Sequence, residues 1–371
     1  MNSQLFSPFK LRDLLLDNRI VVSPMCQYSA ENGSATDWHL MHIGQFAVSG
    51  VGLVILEAAH VEPRGRITHG CLGLYSDDNE QALKRVVDFC HKHSEAAIGI
   101  QLSHAGRKGS ASLPWIKRGT ALTEAQNAWQ TIAPSSVAQT PEWPSPQPMT
   151  AADFDTVREA HVQAVVRAAR IGIDLIEVNI AHGYLLHSFL SPLANRRTDQ
   201  FGGSIENRMR YPLEVFAAMR KAWPAQLPMG ARITATDWIE GGWTIEDAKI
   251  FSNRLKELGC DFITASSGGT SAQQQVPLYP GHQVEFAADI RKVVSVPTMA
   301  VGMLYDPQQA EDIIASGSAD FVALARGMLF DPHWVWYAAS VLHAQVKHPV
   351  QYLRGYRSEW LRQMRRGDQT P

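Results

Sequence analysis

Short β-branched apolar runs alternate along the chain with longer segments whose apolar positions recur every three or four residues. Eight runs stand out as candidate strands: residues 19–24, 52–57, 97–103, 173–179, 228–234, 260–266, 296–302 and 319–326. Most are continuously apolar rather than alternating, the pattern of strands buried on both faces of a parallel sheet. The segments between them have helical length and carry caps. Thr244 and Asp247 stand in capping-box spacing, and Ala248, Phe251, Leu255 and Leu258 follow on one face. Asp306 opens another helix with Pro307 at its first position, and Gly317 closes it.

A faint internal repeat joins helix ends to strand starts: Gly172-Ile-Asp174, Gly259-Cys-Asp261 and Ser318-Ala-Asp320, each followed at once by an apolar pair. The glycines suit a left-handed C-cap. Eight strand–helix units in one series predict an α/β fold, a single (β/α)8 TIM barrel. A doubly wound open sheet would want a GxGxxG turn after its first strand, and Ser23-Pro24-Met25-Cys26 is unlike one. Two stretches stand outside the repeat. Residues 109–149 form a long irregular insertion after the third strand, rich in proline and carrying Trp115, Trp129 and Trp143, which we expect to pack as a lid. Residues 345–371 form a C-terminal arm, leaving 1–344 for the barrel.

Composition narrows the class. With 371 residues, 45% of them hydrophobic, the chain can bury a large core. Length alone would invite two domains, but one such barrel with insertions can exceed about 400 residues. A net charge of −2 gives no electrostatic case for nucleic acid or for a polybasic membrane contact. The most apolar run, residues 51–56, falls far short of the ~20 residues that span a bilayer. No secretory leader is evident, and the four cysteines (Cys26, Cys71, Cys90, Cys260) form no CxxC pair. A cytoplasmic protein with reduced thiols and no metal site is expected.

In this fold, chemistry sits on loops at the C-terminal ends of the strands. There the chain carries Ser23-Pro24-Met25-Cys26-Gln27-Tyr28, Glu57-Ala58, Gln101 to Lys108, Asn179-Ile-Ala-His182-Gly183-Tyr184, Arg232, Ser266 to Gly269, Gly302 and Ala325-Arg326-Gly327. This is a polar ring with several glycines and no nearby carboxylate pair. Glycines and an arginine after the seventh and eighth strands match the usual phosphate site of such barrels. An Arg and a Gln from neighbouring strands suit a flat heterocycle with donors and acceptors. The ring reads as a site for a phosphorylated aromatic cofactor. Singly, Cys26 reads as a buried thiol, Tyr184 as a core tyrosine, and His39 with His42 as helical structural residues.

At these residues the chain resembles the old yellow enzyme family of FMN-dependent (β/α)8 oxidoreductases, most of all its YqjM-like and xenobiotic-reductase subgroup. The motifs, in order, are Asn18-Arg19-Ile20 through Ser23-Pro24-Met25-Cys26-x-Tyr28; Gln101-Leu-Ser-His104-Ala-Gly-Arg107-Lys108; His182-Gly183-Tyr184-Leu185; Ser191-Pro192 to Asn195-x-Arg197-Thr198-Asp199; and Gly202-Gly203-Ser204-x-Glu206-Asn207-Arg208. The resemblance implies that Ser23, Pro24, Met25, Cys26, Ala58, Gln101 and Arg232 contact the isoalloxazine or its ribityl chain. It implies that Gly302, Ala325 and Arg326 hold the FMN phosphate and that Cys26 tunes the flavin. Tyr28, Asn179 and His182 would bind the substrate carbonyl, and Tyr184 would donate the proton. NADPH or NADH would supply the hydride. The arm would bring Arg354 to a neighbouring subunit's site in a homodimer or homotetramer.

Three departures stand out. Asn179 replaces a His of the subgroup's His-x-x-His, Ala325 replaces a Gly, and the insertion is longer than the family leads one to expect. The leading reading is an ene-reductase acting on α,β-unsaturated carbonyl or nitro compounds by ping-pong turnover. Its competitors are a dienoyl-CoA-type reductase without the iron–sulfur domain, a non-turnover flavin-binding redox sensor using Cys26, and a non-flavin barrel binding a sugar phosphate.

Overall fold

The computed structural model describes residues 3–356; residues 357–371 of the expected arm lie outside them. Its frame is a closed barrel of eight parallel strands: β1 (Ile20–Val22), β2 (Leu53–His60), β3 (Ala97–Ser103), β4 (Leu175–Ile180), β5 (Met229–Thr234), β6 (Ile263–Ser266), β7 (Thr298–Ala300) and β8 (Phe321–Leu324). Each strand pairs with its sequence neighbours, and β8 pairs with β1 to close the ring. Every predicted run holds one strand, and β2 runs three residues beyond Glu57, with a register shift between Leu56 and Ala58. The long helices lie between strands, among them Asp37–Ala47, Asp77–His93, Ala151–Arg170, Ile205–Ala222 and Ile245–Glu257. The Thr244–Asp247 capping box forms: Asp247 N donates to Thr244 Oγ1 at 3.2 Å and Thr244 N to Asp247 Oδ2 at 3.1 Å.

The repeated aspartates have a physical purpose. Each sits just before an even-numbered strand and accepts a backbone N–H at the start of the preceding one. Asp174 Oδ2 takes Ile98 N at 2.8 Å, Asp261 Oδ2 takes Met229 N at 2.9 Å, and Asp320 Oδ2 takes Thr298 N at 3.0 Å. Each carboxylate also meets a basic side chain: His91 for Asp174, Arg12 and Arg220 for Asp261, and Arg291 for Asp320. His91 thus belongs to an ion pair, which raises its pKa.

The N-terminal mouth of the barrel is closed by a hairpin, Phe9–Leu11 with Leu14–Leu16, whose Leu11 and Leu16 pack with the interior residues Val21, Leu53, Phe262 and Phe321. Its three-residue strands are too short to show a period. The insertion is ordered through side chains that bond to backbone. Trp129 Nε1 donates to Arg64 O at 2.9 Å, and Arg197 Nη1 donates to Pro134 O and Met149 O at 3.0 and 3.1 Å. The arm's described residues 345–351 share a groove with the loops ahead of β2 and β3, at the N-terminal end of the barrel. Among the described residues no helix is long and apolar enough to cross a membrane.

Candidate active site

The C-terminal rim encloses a cavity of about 770 Å³ lined by Ser23, His182, Arg232, Gly302, Ala325 and Arg326, among others. Six of the sequence-predicted residues therefore meet at one place. Cys26, Tyr28 and Tyr184 pack together beside it against Ile67, Cys71, Ala105 and Ala111. Pro24 and Met25 belong to the loop that carries Cys26, and the Ala58 backbone meets the Cys26 thiol. Arg354 lies elsewhere, on Leu353–Tyr356 of the arm.

Gln101 on β3 and Asn179 on β4 are buried and joined. Ala181 N donates to Asn179 Oδ1 at 3.1 Å, so the Asn179 amide orientation is set by its own backbone. Asn179 Nδ2 then donates to Gln101 Oε1 at 3.0 Å, and Gln101 Nε2 donates to Glu177 Oε1 at 2.7 Å. Thr264 Oγ1 donates to the other Glu177 oxygen at 2.5 Å. Glu177 is fully buried. Sequence reading passed over it, although a carboxylate inside an apolar strand, two residues before Asn179 and so on the same face, is a visible signal.

Arg232 on β5 stands level with Asn179 on β4 and Thr264 on β6. Burial pushes its pKa down, and Glu177 works against that. Its Nε has no hydrogen-bond partner, nor has Ser23 Oγ. Two orphaned buried polar groups facing one cavity call for a polar ligand, because burying such groups unpaired costs about 1–3 kcal/mol each. Among the described residues that line the cavity there is no carboxylate. Arginines without carboxylates and unpaired donors fit an anionic, flat, polar group such as FMN. At Gly302 φ is +114°, a conformation that favours glycine. Ala325 has φ −112°, so its backbone does not require the glycine usual in the subgroup.

After β4 the chain turns through two left-handed residues, His182 at φ 58° and Gly183 at φ 73°. A Cβ on Gly183 would sit 2.6 Å from Gly269 O, so only glycine fits. His182 N donates to Thr234 Oγ1 at 2.8 Å, and its Nε2 lies 2.7 Å from Ser266 Oγ. Burial, together with Arg232 and Lys108, holds this imidazole well below its usual pKa, hence neutral. Tyr184 heads the short helix Leu185–Leu190, and burial pushes its phenol well above the ordinary range. Lys108 Nζ lies 4.8 Å from the Tyr184 ring centre and donates to His182 O and Gly269 O at 2.7 and 2.9 Å. Burial, with Arg107 beside it, lowers that ammonium's pKa to about 8.

The Cys26 thiol is driven well up, first by burial and then by the Glu57 carboxylate. Glu57 accepts from Gln27 N at 3.1 Å and lies 3.3 Å from His39 Nε2. His39 is thereby tied to the loop after β1, while its Nδ1 accepts from Thr36 N at 3.0 Å in the cap of its own helix. Sequence reading placed Glu57 and Ser266 at the rim without giving them a role, and it did not single out Glu177 and Thr264.

Fold and rim define a flavin-binding (β/α)8 oxidoreductase. The profile described as NADH:flavin oxidoreductase / NADH oxidase family matches residues 4–345. The chain belongs to that family, the old yellow enzymes, and is an FMN-dependent oxidoreductase using a nicotinamide donor. It is 41% identical over 359 residues to the NADPH dehydrogenase of Geobacillus thermodenitrificans, spanning 96% of this chain and 100% of the relative. It is 38% identical over 358 residues to the NADPH dehydrogenase of Bacillus subtilis, again across 96% and 100%. Among solved structures, morphinone reductase in complex with tetrahydroNAD superposes with a TM-score of 0.74 at 26% identity, covering 94% of this chain and 93% of that one.

Proposed function

We propose that the protein is an NADPH dehydrogenase of the ene-reductase kind, reducing the C=C bond of α,β-unsaturated carbonyl or nitro compounds by ping-pong turnover. The observation that carries this reading is the adjacency of the cationic cavity to the end of β4 and its following turn, which bear Asn179, His182 and Tyr184. FMN bound there would supply the hydride-transfer chemistry that links the nicotinamide donor to the β-carbon of the alkene.

The chain's own residues do the rest. Ser23, Gln101 and Arg232 hold the ring system, with Pro24, Met25, Cys26 and Ala58 against it, and Gly302, Ala325 and Arg326 hold the phosphate. Asn179 keeps one Nδ2–H for the substrate oxygen, since the other is committed to Gln101. Being an amide, it stabilises the developing charge without ever being cationic. His182 and Tyr28 line the same approach. Tyr184, kept protonated by burial, gives its phenolic proton to the α-carbon. The raised Cys26 pKa keeps a neutral thiol, which disfavours the thiolate chemistry a cysteine sensor needs. The arm lies at the barrel end opposite the site, which supports Arg354 acting on a second subunit of a homodimer or homotetramer.

The test is anaerobic: NADPH should bleach the flavin and 2-cyclohexen-1-one should restore its colour. A flavin that NADPH reduces but no enone or nitroalkene reoxidises would defeat the ene-reductase reading.

A further inference from the structure

The insertion brings one more cation to the site. The segment from Ser110 to Leu122 is pinned at its base, where Ser112 N donates to Thr120 O at 2.9 Å and Leu122 N to Ser110 O at 2.7 Å. Its tip, the short helix Pro114–Lys117 followed by Arg118 and Gly119, projects outward, with Trp115 64% and Ile116 69% exposed. The tip is seated over the active site nonetheless. The Trp115 ring meets the Tyr28 ring edge-on at 6.0 Å, and Arg118 lines the same cavity as Arg232, Arg326 and His182. Its charge reaches the Tyr28 phenol, whose pKa it draws down against the effect of burial.

Arg118 has no carboxylate partner among the described residues. The cavity below offers none either. The proposed function assigns Arg232 and Arg326 to the resident cofactor and leaves Arg118 without a role. A third arginine, exposed and on a projecting loop at the cavity, suits an anion that arrives and leaves with each turnover. Guanidinium pairs with phosphate in a bidentate fork. Of the reactants in the proposed function, on which this inference rests, the nucleotide donor is the one that always carries phosphates.

We propose that Arg118 forms, with Trp115 and Tyr28 at its side, the subsite that holds the phosphate groups of the nicotinamide nucleotide while its ring reaches the cavity. Arg118 is thus a specificity-determining residue for the donor and takes no part in proton transfer.

Anaerobic stopped-flow reduction of the FMN-loaded protein tests this. The wild type is compared with Arg118→Ala and Arg118→Lys, using NADPH, NADH and the phosphate-free donor 1-benzyl-1,4-dihydronicotinamide. Arg118→Ala should raise the apparent Kd for the nucleotides about 10- to 150-fold, as expected for a hydrogen bond to a charged group. The limiting reduction rate should hold, and the difference should shrink at high ionic strength. The phosphate-free donor should be indifferent to the change, and Arg118→Lys should recover most of the affinity. An effect confined to NADPH assigns the contact to the 2′-phosphate; an effect on both nucleotides assigns it to the pyrophosphate. Calorimetric titration with ADP-ribose, which carries the pyrophosphate but no reducing ring, should show the same loss wherever both nucleotides are affected. Unchanged nucleotide affinity, an equal loss with the phosphate-free donor, or loss of bound FMN in Arg118→Ala would each overturn the assignment. A wild type that the phosphate-free donor reduces while neither nucleotide does would instead sink the donor named in the proposed function, and Arg118's role with it.

Discussion

Glu177 Oε1 accepts the Gln101 Nε2 hydrogen at 2.7 Å, and this bond sets which way round the amides above it are held. Gln101 must then offer its oxygen to Asn179, which leaves the second Asn179 Nδ2 hydrogen uncommitted to Gln101. The same carboxylate opposes the Arg232 charge. Replacing it with an amide keeps the shape, frees Gln101 to invert and leaves Arg232 unbalanced. In Glu177→Gln the midpoint potential of bound FMN should rise by about 20–60 mV, where 30 mV is about 1.4 kcal/mol for a two-electron couple. The melting temperature of the FMN-free protein should fall as well. Dye-equilibration potentiometry reads the first effect; an unmoved potential would remove Glu177 from the site's electrostatics.

Tyr184→Phe should separate the two halves of turnover. Flavin reduction by NADPH needs no proton from Tyr184 and should keep its rate, whereas reoxidation by an enone should slow by about 100-fold or more. Equal slowing of both halves in stopped flow would show a packing role for the ring instead.

Lys108 gives the site a pH dependence. Its pKa falls from 10.5 in the unfolded chain to about 8 in the folded one. Between those values the unfolded chain binds the extra proton, so the contribution of this group to stability rises from pH 8 towards 10.5. Reoxidation should move the other way. As the ammonium near the Tyr184 ring deprotonates above about 8, the phenol loses a cation that favours its ionised form, worth about 0.5–2 kcal/mol, and the rate should drop several-fold. Lys108→Met should be slow and flat over that range. A wild-type profile without a step between pH 7 and 9.5 would count against the link.

Acid should unfold the protein through histidines that the chemistry does not use. Burial lowers the pKa of His60 to about 3 and of His161 to about 4, and neither His60 ring nitrogen has a hydrogen-bond partner. Below about pH 6.5 the unfolded chain takes up protons that the folded one refuses, so stability is lost as pH falls through that value. Each group costs about 2 kcal/mol by pH 5. Melting temperature should fall between pH 7 and 5, with a shallower slope in His60→Leu; identical slopes in both proteins would refute the assignment.

The barrel was legible because strands buried on both faces read as unbroken apolar runs, and all eight appear within a few residues of their expected bounds. The Asn179, His182 and Tyr184 grouping was legible because six consecutive residues, the end of β4 and the turn after it, carry it. Other parts depend on distances that no spacing encodes. Glu177 matters through neighbours on β3, β5 and β6, and Arg118 matters through where an irregular loop folds back. The N-terminal hairpin went unseen because three residues per strand show no period, yet its leucines close the barrel's lower mouth.

The aspartate before β4 bears on how the insertion can vary. Asp174 ties the starts of β3 and β4 together at the far end of the barrel from the chemistry, and the whole insertion runs between those two strands. Tethering entropy grows only slowly with loop length. The register that sets Gln101 beside Glu177 and Asn179 is therefore insulated from the number of residues in the insertion. Within this architecture the insertion is an exchangeable attachment: its length and its tip residues can change while the strand register beneath stays in alignment.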